Sequence, residues 1–308
     1  MKKIKWRAIL NPCAGEKRLK KDLKKILACA ERLDLDVDWV WTQYKGHASK
    51  IAQECVDNGC LNLLVFGGDG TLNEVVNGVF CSSIENKSDV CVALVPYGTG
   101  NDWGRFWGIG RNIEQSLGIL KKGKEQLVDV GKATLSGKTS YFLNAIGMGF
   151  DAQVLKLAST IKNHFLKGGW IYSLAVFIAV FIHKSIKMSI FCDGKNVLNE
   201  RVYTISVGNG CYTGGGLKQT PDALPNDGFF HATVVKKLSF KAIVLAVKHL
   251  FFGNLLDHPC VESYKTKRIV FKSDKPVEIE ADGVQLNAHS DVEVEVIPNA
   301  IKFLVSQK

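Results

Sequence analysis

The sequence predicts an α/β half followed by a β-rich half, arranged as two domains. The chain has 308 residues, more than a single hydrophobic core usually organises. In the first 122 residues, strand-like and helix-like patterns alternate, which is typical of a parallel sheet covered by helices on both faces. After about residue 125, strand-like runs follow one another. We therefore expect a doubly wound sheet in the first domain and a β-sandwich-like arrangement in the second.

The elements of the first half can be assigned in order along the chain. Each strand is a short apolar run, and each helix repeats its apolar residues every three or four positions. The strands are IKWRAIL, VDWVW, LNLLVF and VCVALVP. The helices are a basic segment from Gly15 to about Leu33, HASKIAQECVDNG closed by Gly59, TLNEVVNGVF, and two more from about Asn101 and Arg111.

The second half is dominated by strand-like runs. DVEVEVI alternates strictly between apolar and acidic residues, which indicates a half-exposed antiparallel strand. The other runs are QLVDVGKATL, KTSYFLNAIG, IKMSIFC, RVYTISVGN, GFFHATVV, KRIVFKS and PVEIEAD. Helical patterns interrupt them near 150–184 and 239–252.

The domain boundary is predicted at the polar stretch KKGK, residues 121–124. We expect the first domain to cover residues 1–124 and to be completed by the final residues, 298–308. The second domain then covers residues 125–297.

Composition excludes several classes of protein. The chain is 46% hydrophobic and 23% charged, as in ordinary globular proteins. Its nine cysteines include no C-x-x-C pair, so we expect reduced thiols and a cytoplasmic location. The longest apolar run, Trp170–Ile182, would span roughly 20 Å as a helix, against roughly 30 Å of bilayer hydrocarbon. A buried core helix is therefore expected there.

The net charge of +10 favours anionic partners. Nucleotides, nucleic acid and anionic lipid headgroups all fit such a surface, and solubility alone would also explain it. No aromatic residues alternate with the lysines as in RNA-binding motifs, so nucleic acid is not expected.

The stretch VFGGDGT places an acidic residue inside a glycine turn between a strand and a helix. Glycines let backbone amide groups approach an anion, and a helix beginning near Thr71 would direct its positive end at phosphate. Asp69 would repel a bare phosphate but could serve a phosphate accompanied by Mg²⁺. The turn therefore predicts a metal–nucleotide site, the alternative being an ordinary Asp-Gly turn.

Two further glycine turns follow predicted strands. PYGTGNDWGR contains the uncharged donors Thr99 and Asn101, and NPCAG begins with Asn11. Because the carboxyl ends of parallel strands meet at one edge of a sheet, we expect the three turns to lie together.

These motifs resemble the signatures of the diacylglycerol kinase catalytic domain family. NPCAG, GGDGTLNEVVNG and PYGTGNDWGR match its first half, and YFLNAIGMGFDAQV, GNGCYTGGGLKQTPDALPNDGFF and EIEADG follow in the family's order. The resemblance covers nearly the whole chain and is strongest to the bacterial lipid kinases, with sphingosine kinases as distant relatives. The GGDGT turn by itself is shared with NAD kinases, so the resemblance implies a nucleotide-binding domain of NAD kinase-like fold.

The resemblance implies ATP-dependent phosphorylation of a lipid hydroxyl, with Mg²⁺ accompanying ATP. Asp69 would act through this Mg²⁺. Other implied ATP contacts come from the ends of four strands: Asn11, Thr42, Gly67, Gly68, Gly70, Thr71, Leu72, Asn73 and Thr99.

Asp282, in EADG, occupies the position that the family assigns to the general base. A carboxylate there could orient the attacking hydroxyl and accept its proton. The chain departs from the family two residues after Asp282, where Val284 replaces the usual glutamate of Asp-Gly-Glu. The role of that glutamate is therefore in doubt here. From the residues alone, an Asp-Gly turn without chemistry is the alternative.

A second, structural Mg²⁺ is implied in PDALPNDGFF. Its ligands would be the Asp227 carboxylate and the main-chain carbonyl groups of Leu224 and Phe229. Hard oxygen ligands suit Mg²⁺. An Asn-Asp-Gly turn without a metal is the alternative.

Three functions are consistent with these patterns. The first is a lipid kinase at the cytoplasmic membrane surface, bound peripherally to anionic lipid, whose lipid the sequence does not name. The second is a kinase of a soluble substrate, as in NAD kinases, and the third is a non-catalytic nucleotide-binding or lipid-binding relative. The oligomeric state is open, a dimer being possible.

Overall fold

The computed structural model describes residues 4–15, 17–164 and 170–306. Residues 165–169 of the predicted helical segment and residues 307–308 of the predicted C-terminal completion lie outside this description. The chain divides into two compact units. Unit 1 comprises Met1–Val130, Gly214–Gly216 and Ile297–Lys308, and unit 2 comprises Gly131–Thr213 and Leu217–Val296.

Unit 1 is built on parallel strands, as the alternating pattern predicts. The strands are β1 (Lys5–Leu10), β2 (Asp36–Trp41), β3 (Asn62–Gly67) and β4 (Cys91–Pro96), in the spatial order β2-β1-β3-β4. The helices are α1 (Arg18–Arg32), α2 (His47–Asp57), α3 (Asp69–Cys81), α4 (Asp102–Phe106) and α5 (Ile113–Lys122). β3 and β4 are buried along nearly their whole length, because helices cover both faces of a parallel sheet.

Unit 2 is mainly antiparallel. Its strands are β5 (Lys124–Leu135), which begins in unit 1, β6 (Lys138–Phe142), β7 (Ala145–Gly149), β8 (Ile186–Cys192), β9 (Lys195–Gly208), β10 (Phe230–Lys236), β11 (Val261–Thr266), β12 (Arg268–Ala281) and β13 (Val284–Val305). Its helices are α6 (Phe150–His164), α7 (Trp170–Ile182) and α8 (Phe240–Phe252). The order β11-β10-β9-β7-β12-β13 surrounds a core that includes Phe142, Phe230 and Phe271.

The last strand belongs to both units. β13 pairs antiparallel with β12 in unit 2, and its final residues pair parallel with β4 in unit 1, where Lys302 lies opposite Cys91. The observed fold class is therefore α/β followed by β-rich, as predicted.

Several element boundaries differ from the sequence-based expectation. KTSYFLNAIG forms two strands, β6 and β7, because the amide groups of Leu143 and Asn144 turn away to bind a side chain. KRIVFKS and PVEIEAD join into β12, with an irregular register between Lys272 and Val277. β11 was not expected, since its sequence VESYKT is polar and its pairing with β10 is a long-range contact.

The apolar segment at Trp170–Ile182 forms α7, but the expectation of a buried core helix is only half right. Ala175 and Ala179 are buried, whereas Phe177 and Phe181 are exposed. Among the described residues, no helix combines the length and apolar character needed to cross a bilayer.

Candidate functional site

The first glycine turn lies between β3 and α3, and α3 begins at Asp69, two positions before the expected Thr71. The amide groups of Thr71 and Leu72 both donate to the Gly68 carbonyl at 3.0 Å. A Cβ at Gly67 would lie 2.5 Å from the Thr71 Cβ. Glycine is therefore required for the strand to turn directly into the helix.

The second glycine turn closes on itself through Asn101. The Asn101 side chain accepts a hydrogen bond from the Gly98 amide (2.8 Å) and donates one to the Gly98 carbonyl (2.9 Å). This turn touches the first through two glycines, since a Cβ at Gly98 would lie 2.4 Å from the Gly68 Cα. The guanidinium group of Arg111 donates to the carbonyl groups of Gly98 and Thr99.

The third turn meets the first through a side-chain hydrogen bond. Asn11 Nδ2 donates to Thr71 Oγ1 at 2.9 Å. Thr42, which follows the last residue of β2, donates its amide hydrogen to the Leu10 carbonyl at 2.9 Å. All three turns and Thr42 therefore lie at the carboxyl edge of the parallel sheet, as expected.

The other residues of the predicted phosphate cradle differ in their access to solvent. Leu72 and Asn73 have buried side chains, so a ligand could reach only their main-chain atoms. Gly70 is partly exposed, and Thr99 is exposed at the second turn.

Asp69 makes contacts that the sequence did not reveal. Its Oδ1 accepts a hydrogen bond from the Trp103 amide at 3.2 Å, and the amide groups of Asp102 and Asn101 also stabilise its charge. Asp69 thus caps the N-terminus of α4 and fastens the two glycine turns together. Burial nevertheless raises the pKa of its carboxyl group above the ordinary value.

A second carboxylate, Asp102, lies beside Asp69. A Cβ at Gly100 would lie 3.2 Å from Oδ2 of both aspartates, so they flank the same glycine. Burial, and then the charge of Asp69, raise the pKa of Asp102, against the Gly215 amide and Arg105, which lower it. Asp102 is 5% exposed, and its buried Oδ1 has no hydrogen-bond partner among the described residues, its nearest positive charge being Arg105 Nε at 3.8 Å.

This acidic pair fits the cation that the sequence predicts with the nucleotide. Two buried carboxylates that repel each other are relieved by a shared cation, and carboxylate oxygens are preferred ligands of Mg²⁺. The sequence patterns did not single out Asp102 as part of the site. The available signal was a second aspartate in the second glycine turn, at the same sheet edge.

The segment Gly214–Gly216 was also missed as part of this site. The Gly215 amide donates to Asp102 Oδ2 at 2.8 Å, and Arg105 Nη2 donates to the Gly215 carbonyl at 3.3 Å. Gly215 and Gly216 have φ values of +91° and +112°, which favour glycine strongly. The run of three glycines in GCYTGGGLK was the signal that this backbone approaches another element closely.

Asp282 lies in a two-residue hairpin between β12 and β13. Asp282 and Gly283 have φ values of +48° and +75°, and Ala281 pairs with Val284, as expected for an Asp-Gly hairpin turn. Asp193-Gly194, between β8 and β9, has the same conformation with φ values of +47° and +82°. The hairpin conformation alone therefore carries no chemistry.

Burial and the number of amide donors distinguish Asp282 from Asp193. Asp193 is exposed and its carboxylate accepts hydrogen bonds from two main-chain amide groups, whereas Asp282 is 7% exposed. The Asp282 carboxylate accepts hydrogen bonds from three successive amide groups, those of Leu143 (2.8 Å), Asn144 (2.9 Å) and Ala145 (3.1 Å). Asp282 therefore fixes the turn between β6 and β7, a structural task that the sequence did not predict.

At the predicted structural metal site, a lysine already neutralises the carboxylate of Asp227. Lys265 Nζ lies 2.8 Å from Asp227 Oδ2, and the Phe229 amide donates to Asp227 Oδ1 at 3.0 Å. Lys265 Nζ also lies 4.6 Å from the centre of the Phe229 ring. Leu224 and Phe229 contribute only main-chain oxygens, so Asp227 is the one charged ligand of the predicted set. The Lys265 ammonium group therefore offsets the one negative charge that this set would offer a divalent cation, and the second Mg²⁺ stays a prediction.

Unit 2 contains a small apolar cavity of about 70 Å³ with a buried carboxyl group. Its lining includes Phe150, Asp151, Tyr203, Ile243 and Leu250. Burial raises the pKa of Asp151 to about 6. The Tyr203 hydroxyl, which also lines the cavity, has no hydrogen-bond partner among the described residues.

The parallel sheet with its glycine turns in unit 1 and the antiparallel unit 2 define a two-domain protein of the α/β plus β-rich class. A family model described as "Diacylglycerol kinase catalytic domain" matches residues 5–133. A second, described as "YegS C-terminal NAD kinase beta sandwich-like domain", matches residues 144–305, more than half of the chain. The chain therefore belongs to the family of this second model and carries a diacylglycerol kinase catalytic domain in its first half, as the motifs predicted.

Individual relatives agree with this assignment. The chain is 29% identical over 278 residues to a protein named diacylglycerol kinase from Staphylococcus aureus (strain MRSA252), covering 90% of this chain and 85% of the relative. A crystal structure described as a diacylglycerol kinase from Bacillus anthracis str. Sterne superposes with a TM-score of 0.78 at 27% identity, over 99% of this chain and 98% of that one. Yeast NADH kinase complexed with NADH gives a TM-score of 0.53 at 12% identity, over 100% and 85% of the two chains. That last likeness concerns the fold alone.

Proposed function

We propose that the protein transfers the γ-phosphoryl group of ATP to the hydroxyl group of a lipid of the diacylglycerol type. Family membership supports a kinase. The observation that carries the nucleotide part is the meeting of three glycine turns with the Asp69–Asp102 pair at the carboxyl edge of the parallel sheet. Amides, a helix N-terminus and paired carboxylates are what a metal-bound polyphosphate needs.

In this proposal, the main-chain amide groups before Thr71 bind ATP phosphates. Those of Thr71 and Leu72 already donate to Gly68, so binding falls to the earlier part of the turn. Asn11, Thr42 and Thr99 lie at the neighbouring strand ends and are proposed as further ATP contacts.

Asp69 and Asp102 are proposed to hold the Mg²⁺ that accompanies ATP. When bound, that ion would neutralise negative charge on the phosphate oxygens. Removing one carboxylate should raise the Mg²⁺ concentration that turnover requires. It should leave the fold intact, because the two acids repel each other in the protein alone. Asp102→Asn tests this by Mg²⁺ titration of the reaction rate. An unchanged Mg²⁺ requirement would contradict the role given to Asp102.

Asp282 is proposed as the group that orients the attacking hydroxyl and accepts its proton. Its three amide donors hold the carboxylate in one orientation, as a positioned base requires. Val284 removes the neighbouring carboxylate of related enzymes, so Asp282 is the acidic residue of the two-residue turn itself.

A lipid acceptor and action at the cytoplasmic surface of an anionic membrane are proposed together. The names of the relatives support a diacylglycerol-type acceptor. The net charge of +10 suits anionic lipid headgroups, and the requirement for ATP suits the cytoplasm.

The test is an assay with labelled ATP and Mg²⁺ against a panel of lipids in mixed micelles, with NAD⁺ as a separate acceptor. The wild type should phosphorylate a lipid and not NAD⁺. Asp69→Ala should lose turnover, and Asp282→Asn should lose it by about 100-fold or more while still binding ATP.

Asp193→Asn is the matched control for Asp282→Asn, since both aspartates occupy the same type of hairpin. It should retain full turnover. Wild-type turnover by Asp282→Asn would exclude Asp282 as the base. If the loss of turnover in Asp282→Asn is fully explained by a lowered melting temperature, Asp282 has a structural role alone. Phosphorylation of NAD⁺ without any lipid product would overturn the proposed acceptor.

A further inference from the structure

Helix α8 is apolar on both of its faces. Ile243, Val247 and Leu250 face inward, where they line the apolar cavity of unit 2. The outward residues Phe240, Val244 and Phe251 are large and exposed. A helix that is apolar all round is normally covered on every side. The outer face of α8 is instead left largely exposed by the described residues.

The outer face of α8 continues onto α7. The rings of Phe177 and Phe181 lie 5.0 Å apart, and Phe181 lies 5.8 Å from Phe240 on α8. We call this surface the phenylalanine face. It consists of Phe177, Phe181, Phe240, Val244, Phe251 and Phe252, which are 57% to 76% exposed.

Lysines accompany the phenylalanine face, and acidic residues do not. Neither α7 nor α8 contains an aspartate or glutamate. The exposed lysines are Lys184, just after α7, Lys237, just before α8, and Lys241 and Lys248 within α8. None of these four forms an ion pair with a described residue. The surface is thus a set of exposed aromatic side chains bordered by positive charge.

We propose that the phenylalanine face is the surface by which this protein docks on an anionic lipid bilayer. Phenylalanine side chains enter the boundary between headgroups and acyl chains, and the lysines attract anionic lipids. Helices of 13 residues span roughly 20 Å, so α7 and α8 can lie at the surface but are too short to cross it. This inference rests on the proposed action on a membrane lipid. It identifies the surface of the protein that contacts the bilayer holding that lipid.

The lysines also argue against a second copy of the chain as the partner. A two-fold symmetric contact would bring the same face of both copies together and place their lysines opposite one another. A bilayer containing anionic lipid instead supplies opposite charge together with an apolar phase.

The experiment measures binding of the full chain to vesicles. Phosphatidylcholine vesicles with and without phosphatidylglycerol are sedimented with wild type, the double variant Phe251→Ser/Phe252→Ser, and the double variant Lys241→Gln/Lys248→Gln. The serine variant should bind about tenfold or more weakly to vesicles with phosphatidylglycerol. The glutamine variant should bind about tenfold or more weakly to the anionic vesicles only. Ile4→Ser, which removes another exposed apolar side chain, is the control and should bind normally.

Turnover separates docking from the proposed function. Both double variants should retain wild-type rates on a short-chain, water-soluble diacylglycerol and lose rate on long-chain lipid in vesicles. Vesicle binding without phosphorylation of any lipid by the wild type would overturn the function and leave docking intact. Normal vesicle binding by the serine variant would overturn docking. Concentration-dependent dimerisation that the serine variant abolishes, with no vesicle binding, would show instead that a second copy covers the face.

Discussion

At the scale of single residues, Asp151 shows how burial changes a side chain's chemistry. Its Oδ2 lies 3.0 Å from Thr204 Oγ1, and that hydroxyl also lies 3.0 Å from the Met148 carbonyl. A hydroxyl group has one hydrogen and cannot donate to both oxygens. If Asp151 is protonated it donates to Thr204, which then donates to Met148. Burial raises the pKa of Asp151 to about 6, which favours the protonated form that this order requires.

Asp151 should make stability depend on pH. Its pKa is about 6 in the folded chain, against 3.8 for an unperturbed aspartate. The folded state holds the extra proton between these values, so the free energy of unfolding should fall by about 3 kcal/mol as pH rises from about 3 to 7. Asp151→Asn should remove this fall, measured as the difference from wild type in urea unfolding across that range.

Asp274→Asn replaces an exposed aspartate and serves as the control, which should follow the wild-type pH dependence. An Asp151→Asn variant whose pH dependence matched the wild type would mean that Asp151 ionises normally in the folded chain.

At the scale of elements, the two central glycine turns of unit 1 are held together by close backbone contact. Gly68 and Gly98 face each other with no room for a side chain between them. The carboxylate of Asp69 then joins the end of β3 to the start of α4. Each turn therefore depends on the other for its position, and the nucleotide site that we propose depends on both.

Gly98→Ala should destabilise unit 1 because its Cβ would lie 2.4 Å from the Gly68 Cα. A loss of about 1–3 kcal/mol in the free energy of unfolding is expected, together with weaker ATP binding. Gly118→Ala, in α5, meets nothing within 4 Å and should stabilise the chain by about 0.5–1 kcal/mol. Urea unfolding and ATP titration measure both. Equal effects of the two alanines would contradict the close packing of the turns.

Element identity followed from local patterns more reliably than element pairing did. The parallel strands and helices of unit 1 were predicted because each carries its own periodicity. β11 was missed because its polar sequence forms a strand only by pairing with β10. The split between β6 and β7 was missed because its cause, Asp282, lies about 140 residues away in the sequence.

At the scale of the whole molecule, the chain supplies unit 1 from three separate segments. Residues 1–130 carry the parallel strands and glycine turns, Gly214–Gly216 approaches Asp102, and the segment from Ile297 adds the end of β13. Unit 2 holds its loop at Asp227 by the Lys265 ion pair. Because this ion pair lies where a structural metal is predicted, the effect of metal removal on stability can be tested on the intact chain.

Removing divalent cations should leave the melting temperature of the wild type unchanged, because Lys265 already neutralises Asp227. Lys265→Met should lower the melting temperature by leaving Asp227 unpaired, and added Mg²⁺ should restore part of the loss. Thermal unfolding with and without EDTA measures both. A fall in the wild type on adding EDTA, absent from Asp227→Asn, would place a metal at Asp227 after all.

The sequence by itself determined the α/β and β-rich halves, the three glycine turns and their meeting at one sheet edge. These follow from residue periodicity and from the geometry of parallel strands, which act over short distances. Only the tertiary structure decided that Asp102 stands beside Asp69, that Asp282 is buried while Asp193 is exposed, and that Lys265 pairs with Asp227. Each depends on which distant segment packs against a residue, because the burial and the charges around a carboxylate are set by neighbours that are remote in the chain.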